Sequence, residues 1–255
     1  MLTVALFRNF EVNIMQVLAI GNSFSQDATT YLHQIAKTAG TNLTVVNLYI
    51  PACPLDRHYR NMLSDARDYD LHFNGQITGF KISLEEALLS REWDVITLQQ
   101  QSVRSAQRDS FEPYLTALYD YVKECAPKAK VYLHQTWALE SGSERIAKAG
   151  FDSYDAMFSQ IEANYAYAYD LLKNDGIIPS GRLLAELLRQ GVPTVHRDGL
   201  HVTRGLGRYA LGLLWYRFLT GNSVADNSFA DFDEPIGEAE ICLAKNLVEK
   251  LVPAR

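Results

Sequence analysis

Two short blocks at opposite ends of the chain carry residue types that could do chemistry together. The first is Gln16 to Asp27, reading QVLAIGNSFSQD, in which Ser23 follows Gly21 and Asn22 directly after an apolar run. The second is Asp198-Gly199-Leu200-His201. A carboxylate and an imidazole three residues apart in a turn can lie on one side of it. The carboxylate then holds the ring through Nδ1–H and leaves Nε2 free to face a hydroxyl, as in hydrolytic triads. A serine at a strand's carboxyl end, next to a helix N-terminus, could attack a carbonyl, with backbone N–H groups stabilising the oxyanion. The plainer reading is that Ser23 and Ser25 only cap a helix, and that Asp198 does the same for a surface His201.

For the two blocks to meet, the elements between them must form an open parallel sheet. Residues 17–20 form a short apolar run closed by glycine, the pattern of a buried parallel strand. Residues 28–39, closed by Gly40, fit its crossover helix. Further strands are expected at 43–50, 93–98, 129–133 and 177–179, with helices at 83–90, 111–125, 154–174, 183–190, 204–219 and 238–251. Ser83 with Glu86 three residues on is a capping-box pattern. Residues 55–64 read as a short helix or loop, 69–80 as a hairpin or excursion from the sheet, and 140–151 as a loop. Strands alternating with helices predict a three-layer αβα sandwich around a five-stranded parallel sheet of the flavodoxin type. One domain is expected over residues 15–255, with residues 1–14 an extension upstream of a possible start at Met15.

In such a sheet all strand ends open on one edge, where ligands bind. Ser23, Ala52, Cys53, Gln99, Gln100, His134 and Trp137 should therefore line one crevice. His58 follows nearby and is a further candidate lining residue, as is Asn22, although satisfied local hydrogen bonds explain His58 and His134 at least as well. Cys53 is a conceivable nucleophile, but a free cysteine more often packs as a small hydrophobe. The alternating Tyr165, Tyr167 and Tyr169 do not share a helix face and read as packing. Arg189, Arg197 and Arg204 read as a solvated rim.

Composition narrows the partners. With 255 residues, 47% of them hydrophobic, the chain can bury a full core. A net charge of −6 leaves no basic stripe for nucleic acid. The three cysteines, Cys53, Cys125 and Cys242, have neither disulfide-framework nor zinc-site spacing. No apolar run approaches a membrane span. The N-terminal segment MLTVALFRNFEVNI makes a poor signal peptide, so a cytoplasmic location is the default, with a periplasmic or secreted one compatible.

The G-N-S block after a first strand, paired with D-G-L-H before a C-terminal helix, resembles the SGNH (GDSL-type) hydrolase superfamily over residues 16–221. That resemblance implies a flavodoxin-like αβα fold and esterase or acetylhydrolase activity. It also implies Ser23 as nucleophile, His201 as base and Asp198 as its partner, with no metal or organic cofactor. The superfamily takes oxyanion donors from a Gly after the second strand and an Asn of a Gly-x-Asn-Asp block after the third. This chain instead has Pro51-Ala52-Cys53-Pro54 and Gln99-Gln100-Gln101. A backbone N–H of Ala52 or Cys53 could serve beside that of Ser23, and Gln99, the first residue after the strand, or next to it Gln100, could replace the Asn. In this the chain resembles the branch related to sialate and carbohydrate O-acetylesterases. The expected substrate is a small polar ester, such as an acetylated sugar. Two other readings stay open: a non-catalytic carbohydrate- or ligand-binding domain with a degenerate site, and a phosphate- or nucleotide-binding flavodoxin-like protein. The second needs more glycines than GNSFSQD offers.

Overall fold

A computed structural model describes residues 14–253. The extension expected over residues 1–14 therefore falls, Ile14 apart, outside the described residues. The chain begins with β1 (Met15–Gly21), α1 (Ser23–Thr29), α2 (Leu32–Thr38) and β2 (Leu43–Tyr49). Next come α3 (Leu55–Ser64), the strands β3 (Tyr69–Phe73) and β4 (Gln76–Ile82), α4 (Leu84–Leu89) and β5 (Val95–Leu98). Then follow α5 (Tyr114–Cys125), β6 (Lys130–His134), α6 (Glu144–Lys148), α7 (Tyr154–Leu172) and β7 (Gly176–Ile178). The helices α8 (Ser180–Arg189), α9 (Leu206–Thr220) and α10 (Glu238–Leu251) complete the fold.

The sheet runs β4-β3-β2-β1-β5-β6-β7. Its β2-β1-β5-β6-β7 portion is parallel throughout, which is the five-stranded flavodoxin-like order expected. Two antiparallel strands, β3 and β4, widen it to seven. Residues 69–80 are thus the hairpin alternative, made by the two-residue turn Asn74-Gly75. Both of those residues have positive φ, as a twist-matched hairpin turn requires.

Every residue of β5 is buried, as are Val17 to Gly21 of β1. Consecutive burial on a pleated strand needs cover on both faces. Helices α1, α2, α8, α9 and α10 pack with one another, as do α3, α4, α5 and α7. The capping box at Ser83 and Glu86 is formed. Two local expectations are corrected. Residues 28–39 do not form one crossover helix: α1 already begins at Ser23, and the helix breaks at Thr30-Tyr31. There Thr29 and Thr30 turn their hydroxyls onto the carbonyls of Ser25 and Gln26, a back-bonding that bends helices. The 140–151 loop contains α6, capped by the Ser143 hydroxyl.

Register aligns the strand ends. Gly21 lies opposite Tyr49, Ile20 opposite Leu98, and Leu98 opposite Leu133. The segments leaving β1, β2, β5 and β6 therefore emerge together at one edge.

Candidate active site

Ser23 is the first residue of α1, with Asn22 as the N-cap whose side chain accepts from the Phe24 N–H. The serine follows a close turn at Gly21. A Cβ on Gly21 would fall 2.6 Å from both Gln99 Oε1 and Ser25 Oγ, so only glycine lets the strand pass into the helix this closely. Ser25 is fully buried and its hydroxyl donates to Asn22 O, which makes it a brace rather than a rival nucleophile.

The D-G-L-H turn lies directly over Ser23. His201 Nε2 is 2.8 Å from Ser23 Oγ, and His201 Nδ1 is 2.7 Å from Asp198 Oδ2. Asp198 Oδ1 accepts from the backbone N–H groups of Leu200 and His201 at 3.1 and 2.8 Å. Gly199 makes this turn possible, with φ of +77° between the carboxylate and the ring. Partial burial alone would raise the Asp198 carboxyl. The hydrogen bonds from the His201 side chain and backbone outweigh it and hold the carboxyl at about 2. Because that value is depressed, the stability Asp198 contributes is present above the ordinary carboxyl range and is lost only as pH falls toward about 2.

The crevice beside Ser23 has a volume of about 190 Å³ and is lined by Asn22, Ser23, Phe24, Tyr49, Pro51, Ala52, Gln101, Ser102, Leu200 and His201. Ser23 and Ala52 line this crevice, and their backbone N–H groups have no acceptor among the described residues. Ala52 is exposed and adopts φ of +50°, a left-handed conformation that costs a non-glycine residue roughly 1–2 kcal/mol. The Cys53 N–H, the other backbone candidate, is instead taken by Ile50 O at 3.2 Å.

The glutamine expectation is corrected. Gln99 is buried; its Nε2 donates to Asn22 Oδ1 at 2.8 Å and its Oε1 faces His134 Nδ1 at 2.9 Å. Gln100 is also buried, accepting from Leu55 N–H and Gln101 N–H and donating to Ser110. Gln101 is the one that lines the crevice. Its Nε2 donates one hydrogen to Ser102 Oγ at 3.1 Å, which leaves the second available.

Of the other expected substrate-lining residues, Asn22 lines the crevice and His58, His134 and Trp137 do not. Asn22 reaches its wall, but its Nδ2 holds Cys53 O at 3.0 Å, tying the turn after β1 to the loop after β2. His58 is buried away from the crevice and bonded to the Tyr69 hydroxyl at 2.9 Å; burial pushes it down to about 3. His134 is fully buried and likewise pushed down to about 3 by burial, so it is neutral and donates from Nδ1 to Gln99. Trp137 is fully buried, stacks on Phe24 at 3.7 Å, and donates from Nε1 to Leu200 O at 2.9 Å. The Cys53 thiol, pushed up to about 12 by burial, is not a nucleophile at neutral pH. Arg197 is no solvated rim residue, because its guanidinium meets buried Asp27 at 3.0 Å.

Among the described residues no group of three or more His, Cys, Asp or Glu side chains stands together as a metal site. Nor is any helix among them long and apolar enough to cross a membrane.

Comparison with known proteins agrees with this architecture. The family model described as "Domain of unknown function (DUF4886)" matches residues 16–248. A crystal structure of a DUF4886 family protein from Bacteroides uniformis is 30% identical, with a TM-score of 0.85, covering 95% of this chain and 97% of that one. A protein from Slackia heliotrinireducens described as an SGNH hydrolase is 20% identical, with a TM-score of 0.59, covering 81% and 100%. A carbohydrate esterase family 3 structure from Talaromyces cellulolyticus is 11% identical, with a TM-score of 0.52, covering 81% and 96%. At such identities the last two show a shared fold. No curated protein matches the chain.

Proposed function

The chain belongs to the DUF4886 family, and we propose that it is a serine esterase that removes acetyl or similarly short acyl groups from a polar alcohol such as a sugar. The observation that carries this reading is the continuous hydrogen-bonded line from Asp198 through His201 to Ser23. It lies beside two unused backbone donors at the carboxyl edge of the sheet.

In this reaction Ser23 Oγ attacks the ester carbonyl carbon and its proton passes to His201 Nε2. The carbonyl oxygen becomes an oxyanion held by the N–H groups of Ser23 and Ala52 and the Gln101 carboxamide. The C–O bond to the alcohol breaks, His201 returns its proton to the leaving alcohol, and acyl-Ser23 remains. Water then attacks this second ester with His201 again taking a proton, releasing the acid and free Ser23. Asp198 holds the ring in the Nδ1–H tautomer throughout.

Gln101 thus takes the part that Asn plays in the wider superfamily, in the manner of the O-acetylesterase branch. Losing one oxyanion donor costs roughly 100- to 1000-fold in turnover, so Gln101→Ala is expected to lower kcat by that factor with KM little changed. Gln99→Ala should behave differently. It strips Asn22 and His134 of buried partners, so its main effect should be lost stability of about 1–3 kcal/mol, read from thermal melts.

The size of the crevice speaks for a short acyl group. Each methylene left in water forgoes about 0.8 kcal/mol, and about 190 Å³ offers little wall for a long chain. Hydrolysis of p-nitrophenyl esters tests this. The acetate should be cleaved with kcat/KM about tenfold or more above that of the octanoate. A preference for octanoate would overturn the acyl assignment, and no cleavage of either would favour a binding domain with a degenerate site.

A further inference from the structure

One buried cluster is left unexplained by this chemistry. Asp27 lies on α1 one turn beyond Ser23 and is fully buried. Its Oδ1 and Oδ2 accept from Arg197 Nη1 at 3.2 and 3.0 Å, and its Oδ1 accepts from Arg208 Nε at 2.9 Å. Arg208 also pairs with Asp233 at 2.6 Å, so two cations and two anions balance. A buried carboxylate is tolerated only with such partners.

The two arginines hold Asp27 from different places. Arg208 comes from α9. Arg197 belongs to the narrow ribbon from which the Asp198–His201 turn hangs. In that ribbon His196 pairs with Val202, Arg197 N–H donates to His201 O at 2.9 Å, and Thr203 N–H donates to Val195 O at 2.8 Å. The Arg197 guanidinium additionally donates to Val202 O. One guanidinium nitrogen, Arg197 Nη1, therefore joins the helix that carries Ser23 to the ribbon that carries His201. The Asp198–His201 bond lies within its own turn and needs no such help. The Ser23–His201 bond joins residues 178 apart in sequence and depends on how the ribbon is moored.

We propose that Asp27 and Arg197 form a positioning clamp that sets the distance between Ser23 Oγ and His201 Nε2. The proposal rests on the esterase reading. Misplacing a reacting group by about 1 Å can cost roughly a hundredfold in rate. Arg197→Gln leaves Asp27 its partner Arg208, and is expected to fold and to lose about a hundredfold in kcat on p-nitrophenyl acetate. Its KM should stay within about twofold, because the crevice wall is untouched. Arg197→Lys, which restores the charge on a side chain one bond shorter, should regain about tenfold of that loss. Arg208→Gln removes an equal charge from the same carboxylate, but the Arg208 side chain, bonded to Asp27 and Asp233, makes no bond to the ribbon. It should lower Tm while kcat of the folded protein stays within about threefold.

Melting curves and kcat are measured together for all three variants and the wild type. Wild-type kcat in folded Arg197→Gln would overturn the clamp, and so would equal kcat losses in Arg197→Gln and Arg208→Gln. Should Arg197→Gln not fold, Arg197→Lys decides: kcat lowered about tenfold at unchanged KM supports the clamp, and wild-type kcat overturns it. A wild type that neither cleaves the ester nor reacts at Ser23 with a fluorophosphonate would overturn the esterase reading, and the clamp with it.

Discussion

Ser23→Ala is expected to lower ester hydrolysis on the order of a millionfold while leaving the fold and its melting temperature nearly intact. Removing the nucleophile of a hydrolytic triad costs about that much, and the residual rate comes from the oxyanion donors acting on water. The stability should hold because the α1 cap is made by Asn22 and not by Ser23. Ser25→Ala is the informative companion. Its hydroxyl is buried against Asn22 O, so most activity should remain and a modest stability loss of about 1 kcal/mol should follow. Equal loss of activity in both variants would mean that the turn, and not the Ser23 hydroxyl, is what matters.

Asp198→Asn should be the next most damaging change, at about ten-thousandfold in kcat. The turn itself explains why. Asp198 Oδ1 is fixed by the Leu200 and His201 N–H groups, and Oδ2 alone faces the imidazole. An asparagine here would keep its oxygen on the two backbone donors and turn its NH₂ toward Nδ1. The ring would then have to carry its proton on Nε2, which faces Ser23 and could no longer accept from it. The variant should fold, bind substrate with similar KM, and fail in the chemical step. A loss of less than about tenfold would show that Asp198 serves only as a turn residue.

Local chemistry was legible in the chain, and contact across the chain was not. G-N-S and D-G-L-H were readable because each is a few residues long and owes its geometry to a strand end or a turn. The αβα order followed from apolar runs alternating with amphipathic ones. The β3–β4 hairpin was announced by Asn74-Gly75, a two-residue turn that decides between the readings left open for residues 69–80. Gln99 was not separable from Gln101 at the strand end. Three consecutive glutamines offer the same chemistry, and which one reaches the crevice depends on a rotation over two residues. His58, His134 and Trp137 were drawn toward the site by their chemical type. A neutral histidine with one good partner can be buried, and here desolvation holds both histidines uncharged. The Asp27–Arg197 pair spans 170 residues, and no spacing rule connects an aspartate in a helix to an arginine on a distant ribbon.

An activated Ser23 nucleophile can be trapped covalently. The folded wild-type protein would be treated with a fluorophosphonate and its mass and peptides measured. One adduct per chain is expected, located on Ser23, absent in Ser23→Ala, and formed far more slowly in Asp198→Asn. A folded protein that gains no adduct, or gains one elsewhere with Ser23 unmodified, would contradict the assignment of Ser23 as nucleophile.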